Sequence, residues 1–137
     1  MDLNYDELRR IHRLEKNTSK LVEVQPDFYN QLHEFLGQEK KDYLESLQDL
    51  SSSKARDFIN LRKMVEEIFS LREKKVLAKA LIASRTNESV DEYMASEEKK
   101  IYQKILQLLN EHNSILNGLF ANSAKASEKA KKLEKIK

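Results

Sequence analysis

Apolar residues recur every three or four positions along most of this chain, and that period belongs to helices rather than strands. The longest such run, Lys54 to Ser84, contains neither glycine nor proline. It is rich in Leu, Ala, Lys, Glu and Arg, all good helix formers. Ser51, Ser52 and Ser53 precede it and supply candidate N-caps. Its 31 residues make a rod of roughly 46 Å at 1.5 Å per residue. In the first half, Phe58, Leu61, Met64, Val65, Ile68, Phe69 and Leu71 cover an arc of about 160°. In the second half, Val76, Leu77, Ala80 and Leu81 carry the stripe to another side.

Two readings fit so wide an arc. One is an ordinary bundle core whose stripe rotates along the helix. The other is a rod that touches different neighbours along its length, one of them from another chain. Under the second, Phe58, Leu61, Met64, Ile68, Phe69 and Leu71 are the interface candidates, since a few central apolar side chains usually dominate binding. Arg62 and Arg72 fall inside the same arc. A guanidinium keeps its charge, so burial there requires a carboxylate or carbonyl. Glu66, one turn after Arg62, is the local candidate, giving a structural ion-pair set of Arg62, Glu66 and Arg72. Glu15 or Glu45 could reach in from elsewhere. Alternatively both arginines lie at the edge of the stripe and extend to water.

The remaining helices follow from the same pattern. The first spans about Asn4 to Lys16, with Asn4 and Glu7 at capping-box spacing and Leu8, Ile11 and Leu14 along its apolar edge. His12 falls off that edge, toward solvent. Asn17 to Gln25 is a link pinned by Leu21, Val22 and Val24. A second helix spans about Pro26 to Gln48, with Phe28, Leu32, Phe35, Leu36, Tyr43, Leu47 and Leu50 on its buried face. Gly37 within it marks either a close backbone approach or a bend, and His33 points away. Arg85 to Ser96 is a polar break. Ser96 can cap a fourth helix, Glu97 to Phe120, striped by Ile101, Ile105, Leu108, Leu109, Ile115, Leu116 and Leu119, with His112 among them. Gly118 and Asn122 suit its stop. The expected fold is all-α, a helical bundle of four main helices around one long central helix.

Composition supports that class. Two glycines and one proline leave little for the turns of a β protein, and the absence of cysteine excludes disulfides and thiolate chemistry. No run of eighteen apolar residues is present, and the polar, acidic start does not read as a signal peptide, so a soluble intracellular protein without membrane contact is expected. Net charge is +2, but residues 124–137 hold six Lys and two Glu, leaving −2 on the rest. Such a Lys-rich end is either a solvated linker or a weak, salt-sensitive phosphate contact.

No catalytic pattern emerges. A di-iron bundle needs Glu-x-x-His pairs, whereas Arg9, Asn30 and Leu109 stand three residues before His12, His33 and His112. His112 alone lacks the convergent ligands a metal needs. There is neither a zinc helix nor a phosphate loop, and serine lacks a His/Asp setting. A non-enzymatic protein without a cofactor is expected.

Three segments carry a family resemblance. They are LRRIHRLEKN in the first helix, VQPDFYNQLHEFL at the second, and INLRKMVEEIFSLREKKVLAKAL in the rod. In the last, the order Leu61-Arg62, Val65-Glu66-Glu67-Ile68-Phe69, Leu71-Arg72-Glu73 and Lys75-Val76-Leu77 is telling. Together they resemble the archaeal GINS family over residues 4–120, in its class with the helical domain first and a small β-rich domain second. The resemblance implies residues 1–120 as the helical domain and 121–137 as a Lys-rich linker toward a second domain. The sequence departs from that class after Phe120, where nothing reads as strands. The family implies a non-catalytic scaffold of DNA replication in the nucleoid-associated cytoplasm. It forms a tetramer of identical or two kinds of subunit and bridges the MCM helicase to a RecJ-like partner, with primase or polymerase as further contacts. A free-standing helical adaptor for a partner helix, or a weak DNA binder working through the lysines, are the alternatives.

Overall fold

The computed structural model describes residues 3–48 and 53–136, with side chains as far as Ala121. Expectations that fall on Leu50, Ser51 and Ser52 lie outside the described residues. The described residues form four helices and no strands: α1 (Tyr5–Asn17), α2 (Phe28–Ser46), α3 (Lys54–Thr86) and α4 (Ser96–Ile136). The all-α class therefore stands.

Local chemistry explains two of the helix ends. The Asn4 side chain accepts from the Glu7 amide at 2.8 Å, closing the first orphan donors of α1. The reciprocal half of the capping box is not made, because the Glu7 carboxylate is held by Arg10. That hydrogen bond keeps the Glu7 carboxyl below the usual carboxylate range. Ser53 occupies the N-cap position of α3 without a side-chain cap bond. Asn87, at φ 59°, ends α3 in the left-handed conformation, and its amide bonds the Ala83 carbonyl at 2.9 Å.

Two glycine expectations need revision. Gly37 lies within an unbroken α2, and nothing stands within 4 Å of where a Cβ would be, so no backbone approaches it. Gly118 does not stop α4, which continues to Ile136. Gly118 has no positive φ, so it is not a C-cap. A single helical glycine costs about 1 kcal/mol, and the Ala, Lys and Glu that follow are strong enough helix formers to carry the helix through it.

Every other helix packs on α3. α1 runs parallel to it, with the Tyr5 hydroxyl on the Asp57 carbonyl at 3.0 Å and Glu15 beside Arg72 farther along. α2 runs antiparallel, with Tyr43 stacked on Phe58 at 5.3 Å and Tyr29 edge-on to Phe69 at 6.2 Å. α4 runs parallel, with Glu98 beside Arg72 and the Asn113 amide on the Ser84 carbonyl at 3.2 Å. Residues 87–95 return along the groove between them and bury Met94 and Ala95. The core thus divides. One cluster joins Leu8, Ile11, Val22, Phe28, Leu32, Leu61, Ile68 and Ala95. The second joins Leu21, Val76, Ala80, Ala83, Met94 and Tyr102.

This packing accounts for the wide arc on α3. Its first half has α1 and α2 on two sides, so neighbours from its own chain fill most of the arc. Leu61 and Ile68, interface candidates by sequence, are each 1% exposed and belong to the chain's own core. Phe58, Met64 and Leu71 are half-buried, and Phe69 remains 53% exposed. His12, expected in solvent, is largely covered, its Nε2 3.1 Å from the Glu67 carboxylate without hydrogen-bond alignment.

Leu61→Ala or Ile68→Ala should each cost about 2–5 kcal/mol of folding free energy in urea titrations. Phe69→Ala should cost no more than about 1 kcal/mol, since half of its surface is already in water.

Candidate functional site

Between the two core clusters sits a charge. Arg72 lies one helical turn after Ile68 and one before Val76, and it is 0% exposed. All five of its guanidinium N–H donors have partners. Nε donates to Glu98 Oε2 at 2.8 Å, and Nη2 donates to Glu98 Oε1 at 2.7 Å and to the Tyr93 carbonyl at 2.9 Å. Nη1 donates to the Val22 carbonyl at 2.7 Å and to Glu15 Oε2 at 3.3 Å. The pairing with Glu98 is the bidentate fork that arginine suits best.

The carboxylates are held from their other sides. Glu15 Oε1 accepts from the Val22 amide and from Lys75 Nζ, both at 2.9 Å, and Lys75 also caps the Glu15 and Lys20 carbonyls. Glu98 accepts from the Ala95 amide at 2.9 Å, the N-terminal turn of α4 closing on itself, and from the Tyr29 hydroxyl at 2.8 Å. The Ser96 amide, next in line, donates to the Pro26 carbonyl at 2.9 Å. Two cations and two anions leave the cluster neutral.

Burial by itself would raise the Glu98 carboxyl, but the hydrogen bonds and charge of Arg72, with the Ala95 amide and Tyr29 hydroxyl, hold it below the usual range. Burial opposes the charge on Arg72 as well, yet Glu98 and Glu15 bind its proton more firmly than water does. Burial first, then the adjacent Glu98, pushes the Tyr29 hydroxyl above the ordinary tyrosine range. Every group is consumed by a partner in the cluster. The arrangement fixes geometry and offers no free base, nucleophile or open ligand position.

Sequence reasoning left Arg72 either buried against a carboxylate or at the edge of the stripe reaching water, and named Glu15 and Glu45 as carboxylates that could reach in from elsewhere; the structure buries it. Arg72 and Glu15 meet at 3.3 Å. Glu45 is exposed on α2. Arg62 and Glu66 pair at 3.0 Å on the surface, with side chains 75% and 64% exposed, so they hold nothing inside. Glu98, Tyr29 and Lys75 were not anticipated. Glu98 reads in sequence as an ordinary acidic residue in a first turn, where the helix dipole favours it anyway.

No group of His, Cys, Asp and Glu among the described residues is placed to hold a metal ion, and His112 is exposed. No helix among them is long and apolar enough to cross a membrane.

The second feature is apolar surface. A groove of about 190 Å³ runs between α3 and α4, walled by Tyr29, Phe69, Val76, Leu77, Ile101 and Ile105, with Glu98 in its floor and Glu73 at its edge. Farther along, α4 leaves Leu108, Ile115, Leu116, Leu119 and Phe120 between 55% and 68% exposed. The face that α4 turns to α3 is instead made of Tyr102, Ile105, Leu106 and Leu109. Much of the apolar stripe read along α4 therefore lies outside the core. Large apolar side chains are thus exposed both at the groove and farther along α4.

Arg72→Met should cost about 3–5 kcal/mol of stability, because Glu98 would stay buried without a cation and Glu15 would keep only Lys75. Acid should act through Glu98. Its folded-state pKa lies below the ordinary value of 4.5. Between those values the unfolded chain binds more protons, so stability rises with pH there. The contribution is complete above the ordinary value and is lost as pH falls through the folded one. Glu98→Gln should flatten this acid limb in urea titrations taken across it; an unchanged acid limb would contradict the assignment.

No family model matches the chain, and no curated protein or solved structure matches it either.

Proposed function

We propose that the chain is a non-catalytic scaffold subunit of a GINS-like replication complex. In this reading α3 is the central helix of the four-helix bundle. Residues 1–120 are the helical assembly domain, and residues 121–137 lead toward a second domain. The complex is a tetramer of GINS subunits acting near the nucleoid. It bridges the MCM helicase to a RecJ-like partner, with primase or polymerase as further contacts. The protein takes no cofactor.

Two things support the reading. The segments that resemble the family fall on residues with structural work to do: Leu61, Ile68 and Val76 are core, and Arg72 is the buried cation. The observation that carries it is the line of large apolar side chains left uncovered from Phe69 and Leu77 on α3 to Ile101 and Phe120 on α4. A subunit whose work is to bind other subunits needs such a surface, whereas an enzyme would need convergent free polar groups in a pocket. The groove beside Phe69 favours a second reading, a free-standing adaptor that seats the apolar face of a partner helix.

Sedimentation equilibrium at micromolar concentration, with capture of MCM and the RecJ-like protein from native extract, tests the proposal. A mass well above the 16.1 kDa of one chain, with both partners retained, is expected. Phe69→Asp should weaken capture while the protein stays folded. A monomer that retains neither partner contradicts it, and a monomer that seats a peptide helix favours the adaptor.

A further inference from the structure

We infer that the outward side of α3 and the adjoining side of α1 bind the phosphate backbone of a nucleic-acid duplex, without reading its sequence. The surface is built on Arg56, Lys63 and Lys74 of α3, on Arg13 and Lys16 of α1, and on Lys20 of the link after it. This goes beyond the scaffold reading, because it follows from where charge sits on the folded chain and names a different partner.

The first ground is placement. Advancing about 100° per residue, Arg56, Lys63 and Lys74 fall within about 20° of one another, roughly 135° round α3 from the core residues Leu61 and Ile68. α1, α2 and α4 cover other sides of α3, so this row looks outward over about 27 Å. His12 Nε2, 3.1 Å from the Glu67 carboxylate, brings α1 alongside the row. Lys16 follows one turn after His12, with Arg13 on the outer side of α1. Lys75 donates to the Lys20 carbonyl at 3.0 Å, which ties the link to α3 at the level of Lys74. All six cationic side chains are exposed.

The second ground is the balance of charge. Among the described residues, none of the six is paired with a carboxylate. Glu67 is the one exposed carboxylate set among them. The other acids of this part of the chain are taken or lie elsewhere. Asp6 and Glu7 stand beside Arg9 and Arg10, Glu15 is inside with Arg72 and Lys75, and Glu66 holds Arg62. Glu23 lines a cleft with Phe28, Asp57 one with Tyr43, and Glu73 edges the α4 groove. The rest of the surface is mixed or acidic. α2 carries Glu34, Glu39, Asp42 and Glu45 against Lys40 and Lys41. Residues 87–95 hold Glu88, Asp91 and Glu92 with no cation. Lys99, Lys100 and Lys104 of α4 alternate with Glu97, Glu98 and Glu111. A polyanion is therefore drawn to one face and repelled from α2.

The third ground is what this face lacks. Tyr5, Phe58 and Phe69, the aromatic residues of α1 and α3, all turn to rings of α2. The bases of a single strand would find nothing to stack on. Apart from Phe69, Ile59 is the one large apolar side chain exposed between Arg56 and Lys74. A protein partner would need a cluster of such anchors, and a lipid surface an apolar face to insert. Charge without apolar anchors suits a duplex backbone, which offers a negative charge about every 1.7 Å and matches the row over about eight base pairs.

Anisotropy of a short, fluorescein-labelled duplex of mixed sequence, titrated with the full chain from low to physiological salt, tests the inference. The logarithm of affinity should fall against the logarithm of salt with a slope near about −5, from about −0.9 per phosphate contact. Lys16→Gln, Lys20→Gln and Lys74→Gln together should flatten that slope by about 3. The circular-dichroism melt should be unchanged, since none of the three side chains has a partner among the described residues. Glu67→Gln should tighten binding severalfold by removing the one opposing charge. The absence of duplex binding at low salt, a slope that the triple variant leaves unchanged, or weaker binding by Glu67→Gln would each overturn the inference. So would tighter binding to a single strand of the same sequence, or capture by phosphatidylserine vesicles alone. A slope that falls only with Lys131→Gln, Lys132→Gln and Lys135→Gln would place the contact in the terminal lysines and overturn it as well. Capture of MCM and the RecJ-like protein by the triple variant is a separate readout, so this surface and the replication role can fail independently.

Discussion

The fold depends on one buried guanidinium. Arg72 projects from the middle of α3 into a place without water, and each of its five donors finds an oxygen. Those oxygens come from α1, from the link after it, from the loop before α4 and from α4, while Tyr29 of α2 braces Glu98 from behind. A helix bundle held by apolar contacts alone tolerates sliding by a turn, because one leucine can replace another. Here a one-turn slip of α4 would leave Arg72 and Glu98 both buried and unpaired, at a cost of several kcal/mol. The cluster therefore sets the position of each helix along α3 more than it adds to net stability. Replacing the whole set by well-packed apolar residues could even stabilise the chain. It also explains why residues 87–95 retrace α3 rather than forming a short hairpin turn: the Tyr93 carbonyl and the Ala95 amide are both needed at the cluster.

Position along α3 in turn determines what is left bare. Because Glu98 is held level with Arg72, α4 starts at mid-rod and must overshoot the end of α3. The overshoot exposes Leu116 and Phe120, which continue the side facing α3, and the exposed apolar residues Ile101, Leu108, Ile115 and Leu119 lie on the adjoining flank. The apolar surface left uncovered is thus a consequence of the buried ion cluster, two links down the same causal chain.

The all-α class, the extent of α3 and the Asn4 cap were legible because they rest on local chemistry: periodicity, helix propensity and one side chain reaching three residues on. Arg72 was legible as a cation in an apolar arc, and Glu15 as one of two carboxylates that could reach it. Glu98 was not, since a first-turn glutamate has a sufficient local reason to be there and its partner is 26 residues away. The arc on α3 showed that several neighbours were needed without showing that α1 and α2 supply them, so Leu61 and Ile68 stood as interface candidates under one of two readings. The same ambiguity left the facing of the α4 stripe open. A wheel reports that a stripe is apolar, but whether it faces α3 or lies one flank away depends on a rotation that only the pairing of Glu98 and Asn113 determines. Gly118 was taken for a stop because propensity rules weigh single residues, whereas the flanking helix formers outweigh one glycine.

The most direct test of this account is a double-mutant cycle between Arg72→Met and Glu98→Leu, read by urea unfolding. If the buried pair sets the fold, each single change strands a charge, and the double change removes the conflict. The double variant should then be more stable than the sum of the single losses predicts, with a coupling of about 2–3 kcal/mol. Additive losses, with coupling near zero, would mean that the two groups do not meet in the folded chain and would contradict the account.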